Sequence, residues 1–359
     1  MVSITAEKGN APKFSHGAPV PAGKTPVNGV RRIIAVGSGK GGVGKSTTAV
    51  NLALSLAAEG LRVGLLDADL YGPSVPKLLG LEGKPAIRDD GIFSPHQAFG
   101  IKAISIGSML VPGQAVVWRG PMATSGLRQL LRETAWGELD VLVIDLPPGT
   151  GDIHIALFQQ TVVDGVVIVS TPQDLALIDA QKAIDMLRRM SVPVLGLVEN
   201  MSYFIAPDTG NRYDIFGTGG AEKAAADLAI PFLGPVPLVM SIRENSDAGT
   251  PRHRRPHRPR SCRLPRHRPA PDRHLGIDPL KSIATAILPV LSALDKRQGA
   301  GWEGLCFHSI ARISVPNSPL ASPRPPTRSR ALRRATVAAS RSGTRFRPPR
   351  QCPQRRYRP

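Results

Sequence analysis

Gly39-Lys40-Gly41-Gly42-Val43-Gly44-Lys45-Ser46 is the stretch on which the reading of this chain turns. It fits the pattern G-x-x-x-x-G-K-[ST], a glycine loop that wraps a polyphosphate. Its flanks supply the context that the pattern needs. Arg32-Ile33-Ile34-Ala35-Val36 predicts a short buried strand, and Ser46 to Glu59 predicts a helix closed by Gly60. A strand, a glycine loop and a helix start place backbone N–H groups and the positive end of the helix dipole around an anion. Gly39, Lys40, Gly41, Gly42, Val43, Gly44, Lys45, Ser46 and Thr47 are therefore the candidate phosphate-binding residues. Lys45 is expected to reach the β- and γ-phosphates, and Ser46 to ligate Mg²⁺.

Working outward, Arg62-Val63-Gly64-Leu65-Leu66 reads as a second buried strand, running into Asp67-Ala68-Asp69. A short helix is expected through Leu79, a strand at Ile101–Ile106 and a helix from Gly120 to Thr134. Asp140-Val141-Leu142-Val143-Ile144-Asp145 is a continuous apolar run bounded by acids, as a central parallel strand should be. Further strands are expected at Val166–Ser170, Pro193–Val198 and Phe232–Gly234, with helices at Asp174–Met190 and 219–229 and a loop or hairpin over 202–217. This alternation predicts an α/β fold, a doubly wound and mostly parallel sheet flanked by helices. Acids at strand C-terminal ends then lie on the ligand edge of the sheet.

Charge divides the 359 residues sharply. The formal charge is +19, yet residues 1–250 carry −2 and residues 251–359 carry +21. The basic balance thus belongs to the tail and argues against nucleic-acid binding by the folded part. Residues 1–30 read as a disordered leader or linker, 31–250 as the P-loop domain, and 251–359 as an Arg/Pro-rich tail. In Pro251–His274, 19 of 24 residues are Arg, Pro or His, which no packed core can use; a reading-frame change near Pro251 is the sharper explanation. An apolar stripe returns at Ile277, Leu280, Ile283, Ile287, Leu291 and Leu294. Cys262, Cys306 and Cys352 all fall in the tail, without metal-ligand spacing. No apolar run reaches membrane-spanning length and no signal core opens the chain, so a cytoplasmic protein without a membrane partner is expected.

Four segments together carry a family likeness. Lys40-Gly41-Gly42-Val43-Gly44-Lys45-Ser46-Thr47, Asp67-Ala68-Asp69 with Gly72-Pro73-Ser74, Asp145-Leu146-Pro147-Pro148-Gly149-Thr150-Gly151-Asp152, and Glu199-Asn200-Met201-Ser202-Tyr203-Phe204 resemble the Mrp family of P-loop ATPases. That family is described as iron–sulfur cluster carriers within the wider class of MinD, ParA and nitrogenase iron protein. The resemblance runs from about Arg31 to Thr250 and implies a homodimer that uses ATP and Mg²⁺ and serves apo iron–sulfur proteins and assembly factors.

The resemblance also implies roles. Lys40 corresponds to the lysine that crosses to the partner's nucleotide; Asp145 holds Mg²⁺ with Ser46; Asp69 orients the attacking water. Lys40, Lys45, Asp69 and Asp145 are accordingly the candidate catalytic residues. Asp67 either assists at the metal or makes a structural hydrogen bond. Asn200 either pairs with an adenine edge or makes a local turn. Asn51 reads as a polar residue at a packed helix start or a brace for a switch, and His96 and His154 as structural or surface residues. Gly149 and Gly151 are expected to let the second switch move.

Departures from the family pattern are as specific as the matches. Where the family has Cys-Pro-x-Cys, this chain has Ala206-Pro207-Asp208-Thr209, so neither Ala206 nor Thr209 supplies a thiolate and no iron–sulfur ligands are assigned. The expected continuation after Thr250, a strand and a closing helix, is also missing, unless the stripe at 277–294 replaces that helix. The competing readings are a ParA- or MinD-like positioning ATPase and a non-functional truncated product.

Overall fold

β-Branched and leucine-rich runs separated by helical periods form the sheet that the alternation predicts. The structure, a computed structural model, describes residues 23–109, 120–251 and 283–289, all within one unit, Met1–Glu303. The central strands are β1 (Ile33–Gly37), β2 (Val63–Asp67), β4 (Ile101–Ser105), β5 (Val141–Asp145), β6 (Gly165–Ser170) and β7 (Val194–Ile205). With β3 (His96–Ala98), β8 (Arg212–Tyr213) and β9 (Phe232–Leu238) they make a nine-stranded sheet. Its order is β3-β4-β2-β5-β1-β6-β7-β8, with β9 also paired to β7. β3 and β8 are antiparallel to their neighbours; the remaining pairs are parallel.

The helices are α1 (Lys45–Ala58), α2 (Val75–Leu79), α3 (Gly120–Arg132), α4 (Asp152–Gln160), α5 (Asp174–Arg189), α6 (Gly220–Asp227) and α7 (Met240–Asp247). Successive side chains of a strand face opposite sides of a sheet. Ile33 and Ala35 accordingly join the cluster of Leu127, Leu157 and Ile184, on the side of α3, α4 and α5. Ile34 and Val36 join Leu52 and Leu56 of α1. α1 stops where the expectation put it: Gly60 has φ +93° and its N–H donates to Ala57, while Leu61 N–H reaches back to Leu56.

Several boundaries differ from the sequence reading. β7 does not end at Val198 but continues through Ile205, because its second half pairs with β8 and, at Phe204, with Leu238 of β9. β9 is seven residues long despite Pro235 and Pro237. It is an edge strand, where a missing N–H costs no ladder bond. α7 was not expected; its sequence, MSIRENSD, buries no residue. It is seated against α2 by a glycine contact: a Cβ at Gly249 would meet Gly80 Cα at 2.8 Å.

Two stretches outside the expected P-loop domain contain docked residues. Within the expected leader, Val27 is 4% exposed, and Thr25 and Val30 bridge to Thr161 and Leu139. Within the expected tail, 283–289 is helical, and Ile283, Ala284, Ile287 and Leu288 belong to the core that holds Leu54, Val198 and Leu233. The other tail expectations, including Cys262, Cys306 and Cys352, lie outside the described residues.

Candidate nucleotide site

The parallel register brings the acids to one edge. Asp145 is level with Val36 of β1 and with Asp67 of β2, so the ends of three neighbouring strands surround the start of α1. There Lys45 Nζ lies 2.7 Å from Asp145 Oδ1 and 3.4 Å from Asp69 Oδ2, and it donates to Ser46 Oγ at 3.1 Å. Lys45, Asp69 and Asp145 are all buried. The structure thus brings together Lys45, Ser46, Asp69 and Asp145 within one cluster. A buried ammonium and carboxylates tolerate desolvation only by neutralising one another.

Burial raises the Asp145 pKa, while Lys45 opposes the rise. Asp67 is pushed up to about 7, first by burial and then by the nearby Asp145 charge. Its two readings are separated by its contacts. Oδ1 accepts from Asp69 N at 3.1 Å; Oδ2 accepts from Val75 N at 3.2 Å and from Ser105 Oγ at 2.8 Å. Asp67 therefore ties down the segment between β2 and α2 that presents Asp69. Gly72 N in turn donates to Asp69 Oδ1 at 3.2 Å.

Glycine geometry sets the loop. A Cβ at Gly39 would lie 2.1 Å from the Asp179 carbonyl carbon, so only glycine lets the loop lie on the backbone of α5. Gly44 is left-handed, with φ +83° and ψ +24°. Val43 is buried in the α1 core. Thr48 Oγ1 returns to the Gly44 carbonyl at 2.9 Å. Lys40, Gly41, Gly42, Thr47 and Asn200 border, with Lys45 and Ser46, a cleft of about 780 Å³, a size suited to a small-molecule ligand. Pro237, Leu238, Ile242 and Arg243 of β9 and α7 form its other wall.

The remaining candidates separate cleanly. Asn200 makes no local turn: its Nδ2 donates 2.8 Å across to the Val43 carbonyl. Asn51 Nδ2 donates to the Thr47 carbonyl one turn back, a contact within its own helix. His154 is 3% exposed in the first turn of α4, and burial lowers its pKa. Gly149 N donates to the Ser38 carbonyl at 2.9 Å, joining the segment after β5 to the glycine loop. Gly151 has an ordinary extended conformation with φ −83°.

Glu199 is a residue whose role sequence reasoning missed. It is 1% exposed; Oε1 accepts from Ser202 Oγ at 2.5 Å and from Gly219 N at 3.2 Å, and Oε2 accepts from Ala221 N at 2.8 Å. It holds the start of α6, where a carboxylate suits the helix dipole. Its sequence signals were an acid at the end of an apolar strand and its place at the head of the Glu199–Phe204 family segment. Ala206 and Thr209 sit in the turn between β7 and β8. Gly210 N donates to the Ala206 carbonyl, and Thr209 Oγ1 accepts from Asn211 N at 3.3 Å. No group of three or more His, Cys, Asp or Glu suited to a metal occurs among the described residues.

A parallel sheet with this loop at β1, acids at β2 and β5 and α1 rooted in the core defines a P-loop NTPase of the MinD/ParA type. The ParA family model described as NUBPL iron-transfer P-loop NTPase matches residues 29–263, and the chain belongs to that family. It is 56% identical over 241 residues to the "Iron-sulfur cluster carrier protein" of Deinococcus radiodurans, covering 67% of this chain and 68% of that one. It is 56% identical over 226 residues to the Escherichia coli K12 protein of the same name, covering 63% and 61%. The mouse "Iron-sulfur cluster transfer protein NUBPL" is 52% identical over 228 residues, with 63% and 72% covered. The chain thus spans about two thirds of its bacterial relatives' length. Among solved structures, a nucleotide-binding protein from Archaeoglobus fulgidus in complex with ADP matches at a TM-score of 0.54 and 41% identity, over 62% of this chain and 88% of that one. MinD from Pyrococcus horikoshii with Mg-ADP, at 0.50 and 18%, shares the fold.

Proposed function

We propose that this chain is a Mg²⁺-dependent ATPase that acts as a homodimer in iron–sulfur cluster assembly and delivery to apoproteins. The observation that carries the ATPase reading is the Lys45 ammonium held between Asp145 and Asp69 at the mouth of the glycine loop. An incoming polyphosphate competes for that ammonium, and charge neutralisation with water alignment is what phosphoryl transfer asks of a protein. Lys45 moves its charge onto the phosphates, and Asp69 is then free to accept a hydrogen bond from the attacking water. The backbone N–H groups of Gly41 to Ser46 hold the phosphate oxygens.

The residues present fit Mg²⁺, a hard cation that prefers oxygen donors. Asp145 Oδ2 is buried without a hydrogen-bond partner, and Ser46 Oγ stands beside Lys45. Ser46 and Asp145 are the residues that would hold it. When bound, Mg²⁺ contributes positive charge to the phosphate oxygens. Lys40 borders the cleft, and its reach to a partner's nucleotide is part of the dimer proposal.

The cluster, as cargo, has a family precedent in the named carriers, but the 206–209 turn of this chain offers no thiolate for it. Titration calorimetry with ATP and Mg²⁺, followed by phosphate release, tests the core of the proposal. Lys45→Ala is expected to weaken ATP binding roughly 10- to 100-fold, the cost of losing a charge-assisted bond. Unchanged affinity would remove the assignment.

A further inference from the structure

We infer that Asn200 is a positioning residue of the phosphate loop: its side-chain amide orients the Val43–Gly44 peptide so that the Gly44 N–H points at the bound phosphates. This rests on the nucleotide reading above and adds a role that a base contact alone does not include.

One peptide plane sets the geometry. No peptide bond among the described residues is cis. In a trans peptide the C=O and the following N–H point in opposite directions. The Val43 carbonyl is turned toward β7, where Asn200 Nδ2 donates to it at 2.8 Å. The Gly44 N–H must then face the other way, into the concave side of the loop. Because the partner is a carbonyl oxygen, only the NH₂ side of the amide can meet it, so the orientation of the Asn200 side chain is set by chemistry.

Two further observations show that the contact is built in. A Cβ on Gly44 would lie 2.1 Å from Asn200 Nδ2, so the amide occupies the space over this glycine and would have to move to admit a larger residue. Gly44 also stands at φ +83°, a conformation that suits glycine. Val43 meanwhile roots its side chain in the α1 core at 2% exposure. The peptide is therefore fixed from both ends: the core below Val43 and a strand 157 residues away above its carbonyl. Successive N–H groups held in one direction make the anion nest. The second Asn200 amide hydrogen and its oxygen remain for other partners, including a base.

The test compares ligands that share phosphates but differ in base. Full-length wild type and Asn200→Ala are titrated with the magnesium salts of ATP, GTP and tripolyphosphate. The expected result is a loss of roughly 5- to 10-fold for all three, the worth of about one hydrogen bond, with tripolyphosphate included. Tripolyphosphate binding unchanged in Asn200→Ala, with only ATP weakened, overturns the inference and leaves Asn200 a base contact. Wild type that binds none of the three overturns the nucleotide reading itself, and this inference with it.

A double-mutant cycle adds a readout tied to the seat over Gly44. Gly44→Ala is expected to weaken tripolyphosphate binding more in wild type than in the Asn200→Ala background, where the amide no longer blocks the new Cβ. Equal losses in the two backgrounds overturn the inference. Should Asn200→Ala not fold, Asn200→Leu replaces it. Leucine keeps the branched shape but cannot donate to the Val43 carbonyl, so tripolyphosphate affinity should again fall roughly 5- to 10-fold. Unchanged tripolyphosphate affinity in that variant overturns the inference.

Discussion

At the scale of residues, His154 shows how burial turns a side chain into a pH-dependent load. It is 3% exposed beside the nucleotide edge, and its pKa lies below the ordinary 6.5 because desolvation disfavours the cation. The nearby Lys45 pushes in the same direction and Asp69 against it. As pH falls through 6.5, the unfolded chain takes up a proton that the folded chain refuses, so this contribution to stability is present at neutral pH and lost on acidification. Urea unfolding at pH 7.5 and 5.5 should show a loss on the order of 1 kcal/mol from this residue. His154→Gln should flatten that slope, and an unchanged slope would place the pH dependence elsewhere. The same scale shows what single positions could reveal before folding. Lys45 and Ser46 were legible as candidates from the glycine-loop pattern, and Asp69 and Asp145 from the family resemblance. The role of Glu199 was not, because two of its three partners, Gly219 and Ala221, lie about twenty residues on at the start of α6.

Among the elements, the helical segment 283–289 bears most on how the domain is closed. The sequence offered there an apolar stripe that could replace the family's closing helix, and the structure places Ile283 and Ile287, at 2% and 0% exposure, in the core beside α1 and β7. Removing a buried isoleucine side chain loses its transfer energy and leaves a cavity. Ile287→Ala should lower unfolding stability by about 2–5 kcal/mol, measured by urea denaturation. A change within error would mean that the segment contributes nothing to the fold. β9 and α7 were less legible than this stripe, for two different reasons. Pro235 and Pro237 read as breakers but sit on an edge strand. α7 has no buried residue to create a period and is placed by the Gly80–Gly249 contact.

Over the whole molecule, the residues proposed for phosphate binding are assembled, whereas the thiolates of the family's cluster motif are lacking at 206–209. The glycine loop, Asp69 and Asp145 meet at one sheet edge, whereas the turn at Ala206–Thr209 lies beyond β7 with no thiolate. Anaerobic incubation with iron and sulfide, read by absorbance and bound iron, should give little or no cluster attributable to that turn. The paired substitutions Ala206→Cys and Thr209→Cys should raise iron retention, since thiolates are the usual ligands of such clusters. A stable cluster in the parent chain that survives replacement of Cys262, Cys306 and Cys352 would show that other donors hold it.

What the sequence determined by itself was the alternation of the main strands and helices, the doubly wound class and the candidate phosphate-binding set. Those rest on local period and on motif chemistry, both written within a few adjacent residues. The tertiary structure decided what distant segments do to one another. It turned Asp67 into a staple for the segment carrying Asp69, set Gly39 against the backbone of α5, and seated Asn200 over Gly44. It also drew 283–289, part of the apolar stripe in the basic tail, into the core. Such contacts depend on sheet order and on the space between backbones, which no local pattern records.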